Sequence, residues 1–377
     1  MVSHIYYLQT AIPLSDVKSA VHALLAETRK NKISGLVFFA PCPNDGYPFI
    51  LQCIKDVVYE EVGRSVLVTL VPELLVSSAS LCVEVYEVED AARRISGVYD
   101  SIHYQCIEDD TQVLVEIEGI PSSDFTQAVS IQSKEIFDKL QRLLYELGFE
   151  VSDIVRQWNY IGSITGYRET IQNYQAYNDA RSLFYQDVQW RYGYPAATGI
   201  GAHFNGIIVG CIALKNKVGK EGRIYALNNP LQIAAHAYSS EVLVDSNRNA
   251  LKTTPKFERA KLVEFAGDWY CFISGTASIR GEKSTNALSP QQQARQTIEN
   301  IRYLISKENL KRHACPAVSL DLCNLRVYIK DKAFYEEIRS IVEAEFPDVP
   351  AVYLVTDICR TELLVEMEGI CICRQKN

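Results

Sequence analysis

Near its C-terminus the chain places a cysteine and an arginine, Cys359 and Arg360, just ahead of a run, LLVEMEG, that carries two glutamates. Side chains alternate across a β-strand, so Leu364, Glu366 and Glu368 share one face while Leu363, Val365 and Met367 share the other. A carboxyl carried into a closed pocket by such a strand is hard to ionise, and it can then act as a general acid near neutral pH. This makes Glu366 the expected centre of a lyase- or hydrolase-type site. The competing reading is a half-exposed antiparallel strand with solvated glutamates. Glu368, Glu116 and Glu118 are rivals, because LVEIEGI at 114–120 nearly repeats LVEMEGI at 364–370. Position in the larger pattern favours Glu366: the earlier copy opens a structural unit and the later one closes it.

The strand needs partners, and the preceding residues supply them in a regular order. KFERAKLVEFAGDWYCFISGTAS reads as a hairpin turning at Gly267 and Asp268. SPQQQARQTIENIRYLI reads as a helix capped by Ser289, with Pro290 at its first position and a stripe of Ala294, Thr297, Ile301 and Leu304. SLDLCNLRVYIKD is then a strand, DKAFYEEIRSIVEAEF a second helix, and PAVYLVTDICRTELLVEMEGICI the closing pair. The same order stands upstream from residue 98. IHYQCIEDDTQVLVEIEGI is a strand pair, and SIQSKEIFDKLQRLLYELGF is an amphipathic helix with the stripe Ile136, Leu140, Leu143, Leu144 and Leu147 and a C-capping Gly148. DIVRQWNYIGSI, NYQAYNDARSLFYQD and AATGIGAHFNGIIVGCIALK follow as strand, helix and strand pair. A Pro-Ala dipeptide opens each closing pair, Pro195-Ala196 and Pro350-Ala351, and the charged stretch KNKVGKEG separates the copies. The expectation is an α+β duplication with mixed sheets and helices packed on one face, a first unit at 98–220 and a second, site-bearing unit at 221–377. Residues 1–97 are expected to form an accessory α/β region. They contain one capped helix at LSDVKSAVHALL, strands at ISGLVFFA and SLCVEVYEVE, and a Pro/Asn/Gly turn at PCPNDGYPF.

Composition narrows the chemistry. The 377 residues are 47% hydrophobic and 22% charged, an ordinary globular balance, and no run approaches the ~18 apolar residues of a membrane helix. A formal net charge of −8 argues against a nucleic-acid partner, and an anionic ligand would have to be held by a few local arginines. Eleven cysteines, mostly inside apolar runs, and an N-terminus without a signal-peptide pattern lead to the expectation of reduced thiols in the cytoplasm. The six histidines are scattered, no CxxC or HxxxH spacing occurs, and GIGAHFNG lacks the setting of a dinucleotide fingerprint. No metal, cofactor or membrane partner is expected.

The order of elements, with GTAS after a hairpin, a QT..NI helix, Pro-Ala before the closing strands and VE.E at the end, resembles the YjgF/RidA fold, which is chorismate-mutase-like. That family is trimeric, with ligand sites at subunit interfaces. A narrower resemblance, to the chorismatase family, rests on WNYI at 158–161, YNDAR at 177–181, PAATGIG at 195–201, NNPLQ at 228–232, TPKFERAKLV at 254–263, SGTASIRGE at 274–282 and DICRTELLVEMEG at 357–369. Chorismatases are similar to two such units fused in one chain. Imine deaminases of the RidA type carry an arginine directly after the Pro-Ala pair. Val352 stands there in this chain, and the available arginine lies later, at Arg360, as in chorismatases. Two departures stand out: Leu231 replaces an expected arginine, and 239–252 replaces a tyrosine/proline-rich segment.

The resemblance implies a substrate, chorismate or a similar cyclic carboxylate, and roles for its residues. Glu366 would protonate the enolpyruvyl group, and Arg360, Arg181 and Arg259, with Arg223 as a further candidate, would bind carboxylates through planar, bidentate contacts. Tyr160, Tyr177 and Tyr238 would contact ring hydroxyls or carboxylates, and Ala277 would line the pocket. Cys359 at its position is associated with members that form 3-hydroxybenzoate, whereas Ala277 points toward those that stop at a dihydroxycyclohexadiene carboxylate. A non-catalytic YjgF-type module that binds a small carboxylate is the alternative. The assembly would be a monomer with internal pseudo-symmetry or a homotrimer.

Overall fold

The computed structural model describes residues 2–88, 94–168, 170–239, 253–285 and 289–374. In the first part of the chain the elements are β1 (His4–Thr10), α1 (Val17–Ala26), β2 (Ile33–Ala40), α2 (Tyr47–Glu61), β3 (Leu67–Pro72), β4 (Leu74–Leu75) and β5 (Leu81–Glu87). The second part holds β6 (Arg94–Tyr99), β7 (Ile102–Glu108), β8 (Gln112–Pro121), α3 (Val129–Glu146), β9 (Ile154–Gly162), β10 (Tyr167–Arg168), β11 (Ile171–Gln172), α4 (Asn173–Phe184), β12 (Ala196–Ala202) and β13 (Ile207–Asn216). The third holds β14 (Ile224–Leu227), β15 (Ala260–Phe265), β16 (Asp268–Ala277), β17 (Ile279–Arg280), β18 (Lys283–Ser284), α5 (Pro290–Leu304), α6 (Lys307–Arg312), β19 (Asp321–Ile329), α7 (Tyr335–Glu345), β20 (Ala351–Val355) and β21 (Val365–Cys373).

Local chemistry explains the helices that matter for the site. The Ser289 hydroxyl accepts from the Gln292 N–H, Pro290 fills the first turn, and Ala294, Thr297, Ile301 and Leu304 are all buried against β16 and β21. α3 buries Ile136, Leu140, Leu143 and Leu144 and is followed by Gly148 at φ +72°, a conformation that costs glycine nothing. The β15–β16 hairpin turns at Ala266 and Gly267, both at positive φ, rather than at Gly267 and Asp268; Asp268 is already paired with Phe265.

Three larger sheets share one plan. Their orders are β1-β5-β2-β3, β12-β9-β13-β8-β7-β6 and β14-β15-β16-β21-β19-β20-β4. Each contains a parallel pair joined through a helix (β2 with β3, β9 with β12, β19 with β20). Each then places the closing strand (β5, β13, β21) between that pair and an opening strand (β1, β8, β16). The N-terminal residues, expected as an accessory region, thus repeat the order of the other two, short of one hairpin strand. The helix that completes this copy, α2, begins inside PCPNDGYPF, where Pro48 fills the first turn and where the Pro/Asn/Gly content reads as a turn alone. It buries Ile50, Cys53, Ile54, Val57 and Val58.

Helices cover one face of each sheet, and part of the second and third sheets' opposite faces meet in a cluster that includes Leu114, Val155, Ile212, Val263, Phe265, Phe272 and Ile370. The sheets close in a ring: β3 packs on β8, β12 on β16, and β1 on β19 and β20.

Candidate active site

The closing strand β21 runs antiparallel to β16, with Ala277 opposite Glu366 and Ile273 opposite Gly369. Between those pairs the register shifts, so Ser274 and Gly275 form a bulge across from Glu368. The bulge is tied to the neighbouring sheet: the Ala197 N–H donates to Ser274 Oγ at 2.9 Å, and the Gly275 N–H donates to Thr198 Oγ1 at 3.0 Å. Glu366 lies directly over Gly275. A Cβ at Gly275 would stand 2.0 Å from Glu366 Oε1, so only glycine leaves room for the carboxyl.

Glu366 is 4% exposed and, among the described residues, takes part in no hydrogen bond or ion pair. Burial raises its pKa to about 8, with the charge of Glu368 adding to the effect and Arg259 and Arg156 opposing it. Glu368, two residues along the same strand, behaves in the opposite way. Burial pushes its carboxyl up, but Arg156, Arg326, the Thr198 hydroxyl and the Tyr328 hydroxyl outweigh that and hold it below the ordinary range. Two carboxyls on one strand face therefore reach neutral pH in different states, one protonated and one ionised.

Around Glu366 a cavity is lined from both sides of the junction: Tyr174 and Arg181 of α4, Ala197 and Gly199 of β12, Tyr238, Pro255, Phe257 and Arg259, Gly275 and Ala277 of β16, then Ile279, Cys359 and Arg360. Arg181 is 2% exposed and donates to Asn178 Oδ1 at 2.6 Å, while its Nε has no partner. Arg259 is similarly buried, donating to the Ile233 carbonyl at 2.9 Å and the Tyr238 hydroxyl at 2.6 Å, again with an unpartnered Nε. Arg360 donates to the Glu282 carbonyl at 2.8 Å and to Ser284 Oγ at 3.3 Å, stacks over Tyr238, and is not hydrogen-bonded to Glu366. Among the described residues none of the three forms a salt bridge. Buried guanidinium groups without a carboxylate are costly in isolation, and an incoming dianion would supply what they lack.

Most of the expected side chains converge here, but not all. Glu366, Cys359, Arg360, Arg181, Arg259, Tyr238 and Ala277 line the cavity. Tyr160 does not: it points into the centre of the ring, where its hydroxyl accepts from Arg326 at 2.6 Å. Tyr177 is also absent from the lining; it is fully buried beneath the site, donates to Asn159 and lies 5.5 Å under the Arg181 guanidinium. Both aromatics stand where strand and helix periodicity turn a side chain inward, so their phenols satisfy internal partners. Arg223 pairs with Glu264 at the surface. Of the rival glutamates, Glu118 is paired with Lys55, and Leu231 lies in a loop outside the cavity. Most of the altered 239–252 segment lies outside the described residues. The Cys359 thiol is pushed up to about 12, by burial first and then by Glu366, so it stands as a neutral thiol. Tyr174 and Thr198 were not anticipated. Tyr174 could have been found from its spacing, seven residues or almost two full helical turns before Arg181 and hence on the same face of α4; Thr198 carries no such signal.

A family model described as "Chorismatase FkbO/Hyg5-like, N-terminal" matches residues 84–213. A 3-hydroxybenzoate synthase from Streptomyces hygroscopicus is 31% identical over 261 residues, which is 66% of this chain and 71% of the relative. A chorismatase from Streptomyces rapamycinicus is 31% identical over 248 residues, 62% of this chain and 67% of that one. A crystal structure of a chorismatase covers 98% of this chain and 99% of its own at a TM-score of 0.72, with 21% sequence identity, a likeness of fold. The chain belongs to the chorismatase family.

Proposed function

We propose that this protein hydrolyses the enol ether of chorismate, with Glu366 as general acid. Chorismate carries two carboxylates and an enolpyruvyl ether, so a site for it needs cations for the first and a proton donor for the second. Glu366 protonates the methylene carbon, and the ether-bearing carbon becomes an oxocarbenium ion. Water adds there, and the hemiketal collapses to pyruvate and a dihydroxycyclohexadiene carboxylate. Loss of one further water from the ring gives 3-hydroxybenzoate, the product favoured by Cys359 in the cavity wall. Arg181, Arg259 and Arg360 hold the substrate carboxylates, Tyr238 orients two of those arginines, and Ala277 and Ile279 pack the ring.

The observation that carries this reading is a buried carboxyl held in its acid form, without a partner among the described residues, within a cavity lined by three arginines that form no salt bridge among those residues. A binding module has no use for a proton donor buried at such cost. Pyruvate release from chorismate, with chromatography of the ring product and Glu366→Gln in parallel, tests it. Pyruvate from wild type and release slowed by roughly 10³-fold in the variant are expected; binding without turnover by the wild type would overturn it.

Three sheets closing a ring within one chain support a monomer over a homotrimer, which light scattering after size exclusion checks. Eleven cysteines without a disulfide support a reducing, cytoplasmic setting. Among the described residues no helix is long and apolar enough to cross a membrane.

A further inference from the structure

Behind Glu366 lies a buried cluster of four charges contributed by all three sheets: Glu84 of β5, Arg156 of β9, Arg326 of β19 and Glu368 of β21, each at most 3% exposed. Arg326 bridges Glu84 and Glu368, and Arg156 binds Glu368. Such clusters are weak sources of stability, since well-packed apolar replacements often do as well. Its position relative to the site suggests another role. Glu368 faces the same way as Glu366 and sits opposite the bulge on which Glu366 rests. The Thr198 hydroxyl joins the two: it donates to Glu368 and accepts from the Arg156 guanidinium at 2.8 Å and from the Gly275 N–H at 3.0 Å, which uses its full capacity.

We propose that Glu368 is a positioning residue for the acid, a fixed anion that keeps Glu366 protonated while anchoring, through Thr198, the Gly275 bulge beneath it. The inference rests on Glu366 being the acid of the reaction. The charged and titratable groups around Glu366 are Glu368 on its own strand, Arg156 on β9, Tyr174 and Arg181 on α4, Arg259 ahead of β15, Tyr238, and Cys359 and Arg360 ahead of β21. Glu368 is the only anion in this set, so its neutralisation leaves the arginines to pull the proton off Glu366. The four-charge cluster then has a function: Arg156 and Arg326 keep Glu368 ionised despite burial, and Glu84 balances the second of them.

The test is the pH profile of pyruvate release by wild type, Glu368→Gln, Glu368→Asp and Thr198→Val, with Glu366→Gln alongside. Glu368→Gln should lose little near pH 6, about fivefold near pH 8 and close to tenfold above pH 9, because its alkaline limb moves down by about one unit. Glu368→Asp, which keeps the charge, should retain the wild-type limb with a lower kcat. A Glu368→Gln profile parallel to wild type at every pH would overturn the proposal. If Glu368→Gln does not fold, Thr198→Val decides the matter: an approximately tenfold loss in kcat, restored by Thr198→Ser and with KM unchanged, supports it, and wild-type kcat overturns it. Absence of pyruvate from wild type, or activity in Glu366→Gln close to that of wild type, would instead sink the assignment of Glu366.

Discussion

The junction of the second and third sheets and the junction of the first and second are built alike, yet they place their carboxyls differently. In the first of these, the β16 bulge at Ser274 and Gly275 donates an N–H to Thr198, and Arg181 reaches in from the ninth position of α4. In the second, β8 has a register shift at the same place, Glu118 and Gly119; the Gly119 N–H donates to Thr69 at 2.8 Å, and Lys55 reaches in from the ninth position of α2. Backbone, hydroxyl and cation correspond. The difference lies in where the acid stands. Ile208 occupies the place of Glu366, Gly210 the place of Glu368, and the carboxyl has moved onto the bulge as Glu118, where it accepts from Lys55 at 2.8 Å and closes the cleft. A carboxyl facing its cation across the junction makes an ion pair; a buried carboxyl that forms none among the described residues, beside a second anion, is held in its acid form. One fold yields an ion-paired seam and a cavity with an unpaired carboxyl through where its carboxyl side chains are placed.

The contrast can be broken most sharply at Glu366. Glu366→Gln should lower pyruvate release by roughly 10³-fold, at the scale of general-acid catalysis, while the protein stays folded. It should also be more stable. Folding raises this carboxyl from 4.5 to about 8, so the folded protein binds a proton that the unfolded chain releases across that window, and wild type loses stability as pH rises through it. Denaturation should show the variant ahead by up to ~3 kcal/mol at pH 7 and level with wild type near pH 4.

Paired glycine substitutions come next. Gly275→Ala should cost about 100-fold in kcat, because the new methyl lands on the acid, and steady-state kinetics with a circular-dichroism control would show it. Gly119→Ala meets Thr69 Cγ2 at 2.6 Å and Ile208 Cγ2 at 2.8 Å, so it should lower the melting temperature and leave the kcat of the folded fraction unchanged. Equal loss of activity from both would erase the distinction between the junctions.

For wild type, kcat/KM should fall above about pH 8 with a slope of one, as Glu366 ionises. The smallest effect on activity is expected at the ion-paired junction. Lys55→Met should cost ~3 kcal/mol by stranding Glu118, Lys55→Met with Glu118→Leu should recover most of it, and neither should alter kcat. Urea unfolding and a pyruvate assay on the same samples would check both halves.

Much of this was legible in the chain. Ser289-Pro290, Gly148 and the apolar stripes are local signals, and they gave helices where helices stand. The strand alternation that set Glu366 beside Glu368 held because pairing with β16 and β19 allows only one register for an apolar face. The N-terminal copy was not legible as a repeat, because α2 starts within turn-forming residues and the copy lacks its first hairpin strand. Tyr160 and Tyr177 misled for a related reason: a tyrosine has the same chemistry whether its hydroxyl meets a ligand or an internal arginine or asparagine, and only packing distinguishes the two.

Residue type and period, acting over a few neighbours, determined the helices, the strands, the acid-bearing strand face and the arginines available to the site. The protonation of Glu366 was decided by the tertiary structure alone. It depends on burial at a junction between two sheets, on an anion held by arginines from β9 and β19, and on a glycine bulge fixed by a threonine of the neighbouring sheet. Electrostatic energies are set by distance and solvent exposure in three dimensions, and residues 156, 198, 275 and 366 are neighbours only once the ring has closed.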